Sequence, residues 1–284
     1  TAANGNANGF CTATTTVTIT QPILVTVSAS ATNVSCNGAA DGTITASGSE
    51  GSTITVNGEA LSNPYGPGTY TVVATAANGN ANGFCTATTT VTVSEPTALT
   101  ATINYSNSPF CNTLTSAQSV TQTGTTEGVY SSTTGLSIDA STGSINPSTS
   151  TAGDYTVTYT ISTGAVCPAV ITTANVTITS APIASISYAS TSFCQTVGVQ
   201  NVSQTGTTGG MYSSTTGLSI NASTGELTPS TSTAGIYTIT YTIAAAGGCL
   251  ELISTTTVTI IAAPNANISY AGSPFCKTIT SAES

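Results

Sequence analysis

The sequence predicts an all-β chain, a tandem array of antiparallel β-sandwich modules set end to end, and three observations predict it. The apolar period is two: in YTVTYTI, Tyr155, Val157, Tyr159 and Ile161 share one face while Thr156, Thr158 and Thr160 take the other, as in a half-buried strand. Long segments recur: Ser119 to Ile161 aligns without a gap with Asn201 to Ile243, 33 of 43 positions being identical, and TAANGNANGFCTATTTVT at Thr1 returns at Thr75. Four segments, VTITQP, VTVSEP, VTITSAP and VTIIAAP, close at Pro22, Pro96, Pro182 and Pro264, where proline stops a strand without starting a helix.

Those prolines divide the chain. Residues 1–22 read as the C-terminal fragment of a preceding module and residues 265–284 as the N-terminal fragment of a following one. Between them lie modules 23–96, 97–182 and 183–264, of 74, 86 and 82 residues. The chain is thus expected to be a window on a longer array. In 23–96 the strands include TITV from Thr53 and TATTTVTV from Thr86; in the later modules they include YTVTYTI and YTITYTI, from Tyr155 and Tyr237. Glycine-rich breaks such as NGAADG, STTG and STAG separate them, and no stretch carries an apolar stripe at helical spacing. About seven short strands per module point to a sandwich of the immunoglobulin kind. Each seam carries a proline and no Gly/Ser spacer, so adjacent modules are expected to abut.

Composition narrows function. Charged residues are 4%, with ten acids, one Lys (Lys277), no Arg and no His; 63 Thr and 37 Ser wet the surface instead. Without cations to neutralise phosphates, nucleic acid and anionic membrane surfaces are excluded as partners. Without His no Ser-His-Asp or Cys-His arrangement exists, so an enzyme is not expected, nor any cofactor. The acids are not shared between copies: Glu127, Asp139 and Asp154 become Gly209, Asn221 and Ile236. Asp41 in NGAADG reads as a turn residue and not a calcium ligand, since no second carboxylate lies near it in sequence. Tyrosines in strand alternation read as core, with a sugar-stacking platform as the alternative.

The cysteines form the sharpest constellation. Each complete module holds two, Cys36 and Cys85, Cys111 and Cys167, Cys194 and Cys249, with spacings of 49, 56 and 55 that follow module length. No CxxC or His companion suggests a metal. One disulfide within each module is expected, closing a loop of about 50 residues worth roughly 4 kcal/mol and implying an oxidising compartment. Cys11 and Cys276 are expected to be half-cystines with partners beyond the window. The first cysteine lies just past the first strand and the second just ahead of the last, so load would pass through the bond and spare the residues between.

Two resemblances add to this. GLSIDASTGSINPSTSTAGDYTVTYTI is similar to immunoglobulin-like repeats of bacterial surface proteins. SCNGAADGTITASGSEG, with GTYTVVATAANG, resembles the repeat of the giant SprB-type gliding-motility adhesins of Bacteroidetes. They imply the structural shaft of a long extracellular filament or cell-surface adhesin serving adhesion and gliding. Its partners would be neighbouring modules of the same chain, with external surfaces or polysaccharide bound through other parts of the protein. The alternative is an array of carbohydrate-binding modules.

Overall fold

The computed structural model describes residues 2–3, 10–11, 13–19, 21, 24–77, 83–164 and 166–269; Pro22, Cys276, Lys277 and the side chain of Cys11 lie outside them. The chain is all-β. Its strands are β1 (Ala2–Ala3), β2 (Phe10–Cys11), β3 (Val27–Thr32), β4 (Thr43–Gly48), β5 (Thr53–Val56), β6 (Glu59–Ala60), β7 (Gly68–Ala77) and β8 (Phe84–Val93). There follow β9 (Ala101–Asn104), β10 (Phe110–Cys111), β11 (Thr121–Gly124), β12 (Val129–Ser132), β13 (Gly153–Ile161) and β14 (Val170–Thr179). The last are β15 (Ala184–Tyr188), β16 (Ser192–Cys194), β17 (Val202–Gly206), β18 (Met211–Ser214), β19 (Gly235–Ile243) and β20 (Leu252–Ile261). The only helical turns among the described residues are 3-10 turns at Pro147–Thr149 and Pro229–Thr231.

The chain divides into two compact units, residues 1–100 with 161–170, and residues 101–160 with 171–284. The turn between β13 and β14 therefore belongs to the first unit. In that unit β1 pairs with β2, β3 and β4 form a second sheet and β6-β5-β7-β8 a third. Val34, Ile44, Val56, Val72 and Val93 are buried together between the latter two. In the second unit a two-stranded sheet accompanies a four-stranded one twice over: β9-β11 with β10-β14-β13-β12, and β15-β17 with β16-β20-β19-β18. β10 on β14 and β16 on β20 are parallel, whereas β9–β11, β12–β13, β15–β17, β18–β19 and β19–β20 are antiparallel. After β9 and β15 the chain leaves the small sheet, and the short strands β10 and β16 join the large one beside the last strand.

The period-two reading is realised in β13, where Tyr155, Val157, Tyr159 and Ile161 are buried, with Tyr237, Ile239 and Tyr241 doing the same in β19. The phenols of β13 and β19 all find hydrogen-bond partners, as burial favours. Tyr159 donates to Thr125 O (3.0 Å) and accepts from Gly128 N (2.7 Å); Tyr241 repeats this with Thr207 O (3.2 Å) and Gly210 N (2.8 Å). At the head of the corresponding strands Tyr70, Tyr155 and Tyr237 each donate to a carbonyl four residues back, a tyrosine corner made three times. Tyr105 donates to Gly143 O (2.5 Å), and burial, then the neighbouring Tyr130, raises its pKa above the ordinary phenol value. Gly143 has φ +69°, and a Cβ there would strike the Tyr130 ring, so this turn needs glycine on both counts.

Of the acids, Asp139 closes a turn: its Oδ1 accepts from Thr142 N (2.8 Å) and Ser141 N (2.9 Å), and these backbone bonds lower its pKa. A carboxyl lowered in the folded state adds stability above its unfolded pKa and loses it as pH falls through the folded value. Asn221 makes the same two bonds in the other copy without titrating. Asp139→Asn is therefore expected to keep the fold at pH 7 and to flatten the acid limb of the stability curve below about pH 4. Urea melts at several pH values test this; an acid slope unchanged by the substitution contradicts it.

Candidate functional sites: two cysteine staples

The expected pairs Cys36–Cys85, Cys111–Cys167 and Cys194–Cys249 are not formed. Cys36 is bonded to Cys167, with Cα atoms 5.7 Å apart, and Cys111 to Cys249, with Cα atoms 4.7 Å apart; Cys85 and Cys194 are free thiols. The reason is strand direction. Cys36 lies beside the far end of β8, where Val34 N donates to Ser94 O (3.1 Å), whereas Cys85 is the second residue of that strand. Eight residues of strand hold them roughly 26 Å apart at ~3.3 Å each, far beyond the ~4.4–6.8 Å a disulfide spans. Cys111 likewise sits opposite Thr179 at the end of β14, with Cys167 ahead of its start, and Cys194 opposite Ile261 at the end of β20, with Cys249 ahead of its start. In each case the two cysteines occupy opposite ends of one long strand.

The first staple is built in a polar turn. Ser35 N donates to Asp41 Oδ1 (2.9 Å), making Asp41 a turn residue, and hydrogen bonding from the Ser35 side chain, then from this backbone N–H, lowers the Asp41 pKa. Gly38 N donates to Glu95 Oε2 (3.0 Å) and Asn37 Nδ2 to Pro96 O (3.0 Å), tying the turn to the exit of β8. On the other side Thr163 Oγ1 donates to Cys167 O (2.7 Å), with Pro168 O 3.0 Å away, folding the loop that carries Cys167. Cys167 Sγ rests 3.4 Å from Ser35 O, in contact only, since a disulfide sulfur has no proton to donate. An open cavity of about 470 Å³ adjoins the bond, lined by Ser35, Asn37, Pro96 to Leu99, Thr163 and Pro168. It contains no titratable side chain and so no equipment for acid-base chemistry.

The second staple is more enclosed, both Cys111 and Cys249 being buried. Cys249 closes a tight turn with Ala246, the two exchanging backbone hydrogen bonds of 3.2 and 2.9 Å around Gly247 and Gly248. Both glycines have positive φ, +59° and +77°, as a two-residue hairpin turn demands. A Cβ on Gly248 would collide with Pro109 O and one on Gly247 with the Thr179 side chain, so the turn lies directly on the segment holding Cys111.

An amide side chain follows each first cysteine in the sequence, Asn37, Asn112 and Gln195. Asn112 Oδ1 accepts from Ala181 N (2.9 Å), and Gln195 Oε1 accepts from Ala263 N (3.1 Å), fixing the exit of the last strand beside the cysteine just as Asn37 does. Cys194 therefore has the same frame as Cys111, with a hydrogen bond from the Thr196 side chain lowering its thiol pKa. Cys85 differs: it sits within β8 and packs against Val25, Ala74 and Ala76. Cys11 and Cys276 cannot be placed, the first described by backbone alone and the second outside the described residues. Among the described residues no group of three or more His, Cys, Asp or Glu could hold a metal, and no helix is long and apolar enough to cross a membrane.

No family model matches this chain, and no curated protein matches its sequence. Similar solved structures include the protocadherin gammaB7 EC3-6 cis-dimer, 12% identical over 83% of this chain and 66% of that one, with a TM-score of 0.41. The protocadherin GammaB4 extracellular domain is 12% identical over 70% of this chain and 40% of that one, at 0.40, so the chain spans less than half its length. Human CDH23 EC21-23 is 14% identical over 82% of this chain and 97% of that one, at 0.38.

Proposed function

We propose that the chain is part of the structural shaft of an extracellular filament or cell-surface adhesin, in which modules 23–96, 97–182 and 183–264 supply length and toughness. The observation that carries this reading is the pair of long-range disulfides, Cys36–Cys167 and Cys111–Cys249, each joining one of these modules to the next. Disulfides persist in oxidising compartments, which supports an extracellular location. Bonds of this kind serve a tether, because they limit how far the chain can lengthen once its sheets give way.

The cleft beside the first staple has hydroxyls, an amide and apolar walls, but the described residues around the second staple replace it with a close-packed glycine turn. A recognition site repeated in every module would be expected at both, which favours the shaft over the array of carbohydrate-binding modules. A role in gliding motility rests on the resemblance of residues 35–51 and 68–79 alone. The test of the shaft reading is single-molecule stretching with and without a reductant. A maximum extension that ignores the reductant would remove the load-bearing role.

A further inference from the structure

The two disulfides interleave: Cys111 lies inside the loop closed by Cys36–Cys167, and Cys167 lies inside the loop closed by Cys111–Cys249. Three stretches of backbone, residues 37–110, 112–166 and 168–248, therefore run between the same two staples as parallel covalent tracks. We propose that this crossed arrangement is a device against proteolytic severance, such that the stretch from Cys36 to Cys249 parts only after all three tracks have been cut.

The connectivity can be followed through each case. A cut within 37–110 leaves an N-terminal piece holding Cys36, which remains bonded to Cys167. A cut within 112–166 leaves both Cys36 and Cys111 on the N-terminal piece, bonded to Cys167 and Cys249. A cut within 168–248 leaves Cys111 bonded to Cys249. Any two cuts in different tracks also leave one covalent body, because the uncut third track still joins the two staples. Only the third separates the chain into two bodies, one held by Cys36–Cys167 and the other by Cys111–Cys249. Two disulfides that each closed a loop within one module would leave the seam between them open to a single cut.

The device suits this surface. Exposed turns rich in small and hydroxyl side chains, the usual places of nicking, occur on every track: Pro96 to Thr100, Thr126 to Glu127 and Ala244 to Ala246 are all exposed. Protection of each turn is unnecessary when three independent failures are required. Loss of the intact body then follows the third power of the fraction cut per track, in place of the nearly linear loss of an unstapled chain.

The experiment inserts a recognition sequence for a site-specific protease between Ala98 and Leu99, between Thr126 and Glu127, and between Ala245 and Ala246, singly and in all combinations. Free thiols are alkylated before digestion. On gels without reductant, every singly and doubly cut chain is expected to remain one species, and the triply cut chain to give two. With reductant the same digests should give two, three and four pieces. Release of a fragment without reductant after the single cut at Ala98, or a triply cut chain that stays whole, overturns the proposal. Should an insertion prevent folding, limited digestion of the unaltered chain by a broad-specificity protease gives the same reading. The body from Cys36 to Cys249 must persist in unreduced lanes, trimmed only outside those residues, after reduced lanes show nicks within it, and its parallel disappearance in both overturns the proposal.

Discussion

Held at residues 24 and 264 and pulled until its sheets have given way, the oxidised chain is expected to stop lengthening at roughly one third of the extension of the reduced chain. The taut path runs from residue 24 to Cys36, across to Cys167, backwards to Cys111, across to Cys249 and on to residue 264. That path holds roughly 90 residues against roughly 240 in the linear chain, or about 300 Å against about 840 Å at ~3.5 Å per extended residue. The middle track, 112–166, is the shortest of the three and becomes the load-bearing one, stretched in the reverse of its chain direction. Equal limits with and without reductant would place the cysteines off the force path.

The second large effect concerns the core. Tyr159 is 1% exposed, its ring lies 4.5 Å from that of Tyr130, and its hydroxyl holds both Thr125 O and Gly128 N. Tyr159→Ala removes the ring and leaves a cavity, at a cost of about 3–5 kcal/mol. Tyr159→Phe keeps the ring but orphans the Gly128 N–H and the Thr125 carbonyl, costing about 1–3 kcal/mol. The ordering Ala worse than Phe is expected in chemical denaturation under oxidising conditions. A Phe variant as unstable as Ala would mean that the hydrogen bonds and not the packing hold this corner. Tyr241, with the same two partners, provides an independent repeat of the comparison.

Much of the fold was legible because it is local. Alternation in YTVTYTI and YTITYTI marks β13 and β19 directly, and the duplicated stretch carries equivalent strands into both copies of the second unit. The parallel placement of β10 and β16 was not legible: two or three residues have no periodicity, and their partner lies more than sixty residues away in sequence. The cysteine pairing was misread for a geometric reason. A cysteine after the first strand and one before the last look adjacent on paper. Yet β3 and β8 finish side by side, as the Val34 to Ser94 hydrogen bond shows, so both strands run in one direction. The end of one and the start of the other then fall at opposite ends of the sandwich. Strand direction, together with the amide after Cys36, Cys111 and Cys194 and the Gly-Gly before Cys249, was the signal available.

The central claim is that the bonds are long-range and interleaved, Cys36 to Cys167 and Cys111 to Cys249, and its most direct measurement is disulfide mapping of the unreduced chain. Digestion with pepsin at low pH, where thiol–disulfide exchange is suppressed by loss of thiolate, followed by mass spectrometry, identifies each linked peptide pair. The lack of arginine and the presence of one lysine make trypsin unsuitable. The account predicts peptides joining Cys36 to Cys167 and Cys111 to Cys249, with Cys85 and Cys194 absent from both links. Peptides joining Cys36 to Cys85 and Cys111 to Cys167 would contradict it.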